Sequence, residues 1–228
     1  MKRMVLRALV AAPLLILGGS NGYAAAVVDL SGTKVDFVDI QDAVPGGLFD
    51  AAASTVTGDA LSLGLDAFKA DSNSTVSDVM SFTIKAKPGQ FITSVKYREA
   101  GGWSIVGPAG FVSASANWSV GTQSGVVGTF FLFGAGNSGT WATPSDSPPG
   151  TPQYAVINFA PSEKVTELYV SIANILSAAA PTGASASVFK DMASLEVEAV
   201  PVPPAVWLLG SALFGMGVLG RRGTKAAA

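Results

Sequence analysis

Hydrophobic and polar positions follow two different patterns along the 228 residues of this chain. Between about residues 27 and 200, short apolar runs alternate with polar residues and are separated by Gly, Pro, Asn and Ser. This pattern is typical of β-strands joined by turns. Roughly nine to eleven such runs, spaced by about ten residues, predict an all-β fold, an antiparallel β-sandwich of the jelly-roll type.

Individual runs give more detailed expectations. Residues 79–87 and 91–99 flank Pro88-Gly89 and are predicted to pair as a β-hairpin. The nearly continuous apolar run at 126–133 predicts a strand that is buried on both faces. Residues 173–180 are a candidate for one short helix. No other sustained helical period is present between the two ends of the chain.

The first apolar segment that departs from this pattern covers residues 8–17. It follows three basic residues and is followed by small residues that end in Ala24-Ala25-Ala26. This order predicts a secretory signal peptide over residues 1–26, cut by signal peptidase after Ala26 or after Ala24. A retained membrane helix is the alternative, but the apolar run is shorter than such helices need.

The second such segment covers residues 204–220 and contains no charged residue. It predicts a transmembrane helix with Trp207 near the outer interface. Arg221 and Arg222 follow its cytoplasmic end and begin a basic tail, 221–228. A buried core helix is the alternative, but such a helix normally shows a polar face. Residues 27–199 are then the exported domain.

Separating these ends changes the charge of the domain between them. All 16 acidic residues lie between Asp29 and Glu198, whereas six of the 14 basic residues lie in the two end segments. The middle therefore carries eight basic residues and a net charge of −8. An acidic domain without a basic cluster argues against nucleic acid as a partner. The chain has no Cys and no His, so the domain has no disulfide and no His-based triad.

The tail also carries a recognisable motif. It resembles the VPLPA-CTERM variant of the PEP-CTERM sorting signals, which combine a proline motif, an apolar helix and a basic end. The residues that carry the resemblance are Val200, Pro201, Val202, Pro203, Pro204, Ala205, Trp207, Leu208, Arg221 and Arg222.

The resemblance implies a route and a role. An exosortase, a membrane enzyme of Gram-negative bacteria, would recognise segment 200–228 at the inner membrane and cut near the proline motif. The domain would then reach the cell surface or the extracellular matrix, as a structural or interaction protein associated with exopolysaccharide or biofilm. A permanent membrane anchor remains an alternative, because the tail alone also fits one.

Candidate chemistry in the middle of the chain is sparse. Asp71, Asn73 and Asp78 have part of the spacing of a calcium-binding loop, and calcium is the cofactor they suggest, although solvated turns explain them as well. Trp141 lies in the Gly- and Pro-rich segment 134–150, which predicts a polar loop, and an exposed indole there would suit sugar rings. A secreted glycan-binding module, or a glycan-active enzyme with paired carboxylates, is therefore the alternative function. We expect no enzyme.

Overall fold

The computed structural model describes residues 27–43, 48–144 and 153–202, which form thirteen β-strands and one 3₁₀ turn. In chain order, these elements are β1 (Val28–Ser31), β2 (Val35–Asp42), β3 (Phe49–Thr57), β4 (Ala60–Leu65), β5 (Lys69–Asp71), β6 (Ser74–Ala86), β7 (Gln90–Val106), β8 (Gly110–Val120), β9 (Gln123–Gly134), β10 (Asn137–Thr143), β11 (Ala155–Asn158), the 3₁₀ turn (Pro161–Glu163), β12 (Glu167–Ala179) and β13 (Ser185–Pro201).

The strands form two antiparallel sheets. Sheet A has the order β1-β2-β6-β12-β8-β9, and sheet B has the order β10-β7-β13-β4-β3, with β11 also paired to β7 and β5 to β13. Side chains from the two sheets meet between them: the rings of Tyr97 on β7 and Trp118 on β8 are 5.9 Å apart. The prediction of an all-β, antiparallel sandwich is therefore confirmed.

Alternating burial along the strands explains why they form one core. On β12, every second residue from Leu168 to Ala178 points inward and is buried, and the residues between them are exposed or half-buried. Each apolar side chain of this kind that is fully buried stabilises the fold by about 1.5–3 kcal/mol. The same period of two explains why residues 173–179 form part of β12, so the prediction of a helix over 173–180 is wrong.

The hairpin predicted across Pro88-Gly89 is wrong. The turn exists, but β6 before it pairs with β2 and β12 in sheet A, whereas β7 after it pairs with β10, β11 and β13 in sheet B. A Pro-Gly turn reverses the chain, and it does not determine which strands become hydrogen-bonded neighbours. The turn therefore carries the chain from one sheet to the other.

The prediction that run 126–133 is buried on both faces is also wrong. This run belongs to β9, one of the two edge strands of sheet A, where Val126, Phe131 and Phe133 are 64%, 61% and 76% exposed. The rings of Phe131 and Phe133 contact Phe111 of β8, with centroid distances of 6.4 Å and 4.8 Å. A continuous apolar run shows that both faces of a strand are apolar. Whether both are covered depends on the position of the strand in the sheet.

The predicted signal peptide, residues 1–26, and the predicted transmembrane helix and basic tail, residues 204–228, lie outside the described residues. Across 27–43, 48–144 and 153–202, no helix has both the length and the apolar character needed to cross a membrane.

Candidate functional site

A polar cluster lies in the middle of the sandwich, among apolar side chains. It consists of Lys190 on β13, Glu99 on β7 and Asn174 on β12, which are 4%, 0% and 0% exposed, and we call it the core cluster. The Lys190 ammonium group Nζ donates hydrogen bonds to Glu99 Oε2 and to Asn174 Oδ1. Because Lys190 and Glu99 belong to sheet B and Asn174 to sheet A, these contacts bridge the two sheets.

Strand alternation places each member of the core cluster. Asn174 occupies an inward position of β12, in the series that is otherwise apolar. Glu99 follows Val95 and Tyr97 on the inward face of β7. Lys190 follows Val188 on the inward face of β13, directly before a β-bulge at Asp191 that shifts the inward positions by one residue. The period of two therefore fixes the direction of all three side chains.

Glu99 is held by two further side chains. The Thr143 hydroxyl donates a hydrogen bond of 3.0 Å to Oε1, and the Tyr97 hydroxyl donates one of 3.2 Å to Oε2. Thr143 is 2% exposed and Tyr97 is fully buried. A carboxylate in an apolar interior needs such donors, because the loss of water would otherwise be very costly.

Aromatic rings close the other side of the cluster. Lys190 Nζ lies 4.9 Å from the ring centroid of Phe68 and 5.9 Å from that of Phe49, and these two rings contact each other edge to face. The aromatic faces stabilise a cation, but they exclude water. The cluster is therefore a dry site in which one amine contacts both a carboxylate and a carboxamide.

The electrostatics follow from this burial. Burial lowers the pKa of Lys190 from its ordinary value, and the neighbouring Glu99 carboxylate opposes the shift. Burial also raises the pKa of Tyr97 well above its ordinary value, and the charge of Glu99 raises it further. In a dry site, the uncharged form of the Lys190 amine is favoured relative to water.

Asn174 is incompletely satisfied. Its amide nitrogen Nδ2 makes no well-formed hydrogen bond within the part of the chain that the structure describes, although the amide is close enough to the Tyr97 hydroxyl to oppose part of the pKa rise there. A buried amide nitrogen without an acceptor is uncommon in folded proteins and calls for an explanation.

The three residues with partial calcium-loop spacing have other partners. The exposed Asp71 pairs with Lys69 at 2.8 Å, and Asn73 Oδ1 accepts a hydrogen bond from the backbone of Ala180. Asp78 is buried, and its carboxylate accepts three backbone N–H groups, those of residues 48, 49 and 79. In the described ranges, no three acidic side chains lie close enough together to hold a metal ion. The calcium site stays a prediction without structural support.

Trp141 lies in a different setting from the one predicted. Residues 137–143 of the predicted loop 134–150 form β10, which pairs with β7, so the loop prediction is wrong for that part. The Trp141 side chain is 4% exposed, its Nε1–H donates to the Phe189 carbonyl at 3.0 Å, and its ring stacks on Phe130. Sugar rings therefore have no access to this indole.

The proline motif begins inside the fold. Val200 and Pro201 are the last residues of β13, opposite Phe91 and Gln90 of β7, and the Val202 N–H donates to the Gly89 carbonyl at 2.8 Å. The other motif residues lie outside the described ranges, and these are Pro203, Pro204, Ala205, Trp207, Leu208, Arg221 and Arg222. The predicted cleavage positions Ala24 and Ala26 lie outside as well.

The members of the core cluster were not among the residues predicted from the sequence. A signal was present, because Asn174 interrupts the series Leu168, Val170, Ile172, Leu176, and Glu99 continues the series Val95, Tyr97. A single polar residue at an inward strand position indicates a buried polar group. Their proximity to each other depends on the pairing of β7, β12 and β13.

Comparisons with known proteins add little. No family model and no curated protein matches the chain. Among solved structures, it is similar to the structure of infectious bursal disease virus Gx strain, with 11% sequence identity and a TM-score of 0.25. The match covers 74% of this chain and 42% of that chain. A likeness at this level carries no argument about fold or function.

Proposed function

We propose that this chain is an exported structural protein whose β-sandwich is delivered to the cell surface or extracellular matrix by an exosortase that acts on segment 200–228. The observation that carries the proposal is the continuity of β13 with the proline motif, because the sorting segment starts where the folded domain ends. We also propose a jelly-roll type of winding, since the chain changes sheet after β2, β5, β6, β7, β9, β11 and β12.

The chemistry of the described residues supports a structural role. The core cluster is sealed from solvent, so its groups can act on one another and not on a substrate from outside. The net charge of −8 between the end segments keeps such a domain soluble and repels acidic partners. Exopolysaccharide or biofilm remains the proposed setting, through the resemblance of the tail.

The proposal includes a position for the cut. Residues 200–202 are hydrogen-bonded to the β6–β7 turn region, and a protease needs its substrate extended and free of a sheet. We therefore expect cleavage on the C-terminal side of Val202, where the chain leaves sheet B.

The test compares cells that contain the exosortase with cells that lack it. Cell fractions are probed for this chain, and its C-terminal peptide is identified by mass spectrometry. We expect a released form that ends just after Val202 with the enzyme, and a membrane-bound form that retains Arg221 and Arg222 without it. Retention of these arginines in both strains would refute exosortase processing and leave a permanent anchor. Replacing both with Ala should also reduce processing.

The alternative of a glycan-binding module receives no support from its candidate residue, because Trp141 is buried.

A further inference from the structure

The core cluster contains the parts of a reaction that its contacts alone do not explain. Lys190 supplies an amine, the carboxamide carbon Cγ of Asn174 is an electrophile, and Glu99 is a carboxyl group that touches the amine. All three are at most 4% exposed, and Asn174 Nδ2 has no well-formed hydrogen bond in the described part of the chain. A simple buried ion pair needs no carboxamide against its amine.

We propose that Lys190 and Asn174 form an intramolecular isopeptide bond, with Glu99 as the group that transfers the protons. This proposal concerns the folded domain alone, so it does not depend on export or on exosortase processing.

The reaction balances without any added reagent. Glu99 takes a proton from the Lys190 ammonium, and the neutral Nζ attacks Asn174 Cγ to give a tetrahedral intermediate. Glu99 returns the proton to Nδ2, and the Cγ–Nδ2 bond breaks. The products are a secondary amide between Nζ and Cγ, ammonia that departs as ammonium with the second amine proton, and an unchanged Glu99 carboxylate. Nothing is oxidised or reduced.

The geometry favours attack of Lys190 Nζ on Asn174 Cγ over hydrolysis of the carboxamide. Attack requires the reacting atoms at about 3–3.5 Å, and Nζ already contacts the oxygen that is bonded to Cγ. The dry surroundings of Phe49 and Phe68 favour the neutral amine that attack needs, and they exclude the water that would otherwise hydrolyse the carboxamide. The weakly held Nδ2 is the leaving group, and the Tyr97 and Thr143 hydroxyls orient the Glu99 carboxyl.

The sequence around the cluster fits a covalent link. The chain has no Cys, so it has no disulfide to join its two sheets. An amide between β12 and β13 would join sheet A to sheet B through a bond that is insensitive to reducing agents. Such a link serves any domain that must stay folded outside a cell.

The experiment measures the purified, folded full-length chain. A protease that cuts after acidic residues releases peptide 168–191, which contains both Asn174 and Lys190 and no internal Asp or Glu. Before digestion, the free amines of the denatured chain are labelled by reductive methylation. We expect the mass of this peptide to be lower than its sequence predicts by one ammonia, about 17 Da, and Lys190 to be unlabelled. We also expect no fragment ions from backbone cleavage between Asn174 and Lys190, because the link closes that stretch into a ring.

Three results would overturn the proposal. The first is a peptide that has lost no ammonia and carries the methyl label on Lys190, which shows that Lys190 and Asn174 are not linked and that the cluster is only an ion pair. The second is a peptide lighter by about 17 Da with Lys190 labelled, which indicates a succinimide at Asn174. The third is a peptide joined to the segment that contains Glu99 with the loss of one water, which indicates a different amide.

Variants then assign the role of Glu99. In Glu99→Gln we expect the folded chain to give peptide 168–191 at full mass with Lys190 labelled, because the proton carrier is gone. Asn174→Leu keeps the branched shape of the side chain and removes the electrophile, so it should give a labelled Lys190 even if Glu99→Gln does not fold. Glu198→Gln, which removes a carboxylate from a solvent-exposed ion pair with Lys96, is the matched control and should keep the link. A link that persists in folded Glu99→Gln would overturn the role of Glu99.

Discussion

The substitution Gly101→Ala tests how β7 and β13 bring Lys190 into the core. Gly101 is opposite Lys190 in the strand register. A Cβ atom at Gly101 would lie 1.9 Å from the Phe189 carbonyl oxygen, where ordinary contacts begin at about 3.4 Å. The added Cβ is fixed to the backbone of β7, and the Phe189 carbonyl is part of the backbone of β13, so neither group can rotate away. The two strands must separate by more than 1 Å at this point.

The expected cost is at the upper end of the range for overpacking, about 3 kcal/mol. The reason is that the same carbonyl accepts the Trp141 Nε1–H bond, which the shift would also strain. Urea denaturation followed by tryptophan fluorescence measures the free energy of unfolding. Gly134→Ala is the matched control, since that strand glycine has nothing within 4 Å of an added Cβ. If Gly101→Ala lies within about 0.5 kcal/mol of this control, the close approach of β7 and β13 is refuted.

Three further predictions concern charge and exposure. Lys190→Met should destabilise the fold by at least about 3–5 kcal/mol in urea denaturation, because the buried Glu99 carboxylate loses the N–H donor of Lys190 and the proposed amide to Asn174 cannot form. Hydrogen bonds from Lys96 and Ser94 lower the pKa of Glu198, so its contribution to stability is present above its unfolded pKa of about 4.3 and is lost as the pH falls through the lower folded value. Since the Lys96–Glu198 pair is partly exposed, the free energy of unfolding lost through it between pH 6 and pH 3 should be below about 1 kcal/mol. Phe133→Ser should change the unfolding free energy by less than about 0.5 kcal/mol, because the side chain is 76% exposed.

Each of these predictions has a control. The double variant Glu99→Gln with Lys190→Met should recover part of the lost stability, because no unpaired charge remains; no recovery would contradict the charge argument. Glu198→Gln should remove its share of the pH dependence, and an unchanged profile would contradict the assignment. Phe37→Ala, at a fully buried position of β2, should cost about 3–5 kcal/mol. A similar cost for Phe133→Ser would show that β9 is covered.

The sequence alone determined the class of the fold. Alternation with a period of two and frequent turn residues predicted an antiparallel sandwich, since both are local properties of the chain. The predicted sorting motif and the two apolar end segments are also local patterns, and they remain the basis of the proposed export.

Only the tertiary structure decided which strands are neighbours. The turn at Pro88-Gly89 looks the same whether the chain stays in one sheet or crosses to the other, and run 126–133 looks the same at an edge as in the middle of a sheet. The core cluster shows this most clearly. Glu99, Asn174 and Lys190 are each a single polar residue at an inward position, separated by 75 and 16 residues in the chain. They meet because β7 pairs with β13 in sheet B while β12 of sheet A packs against them, and no local pattern encodes those long-range contacts.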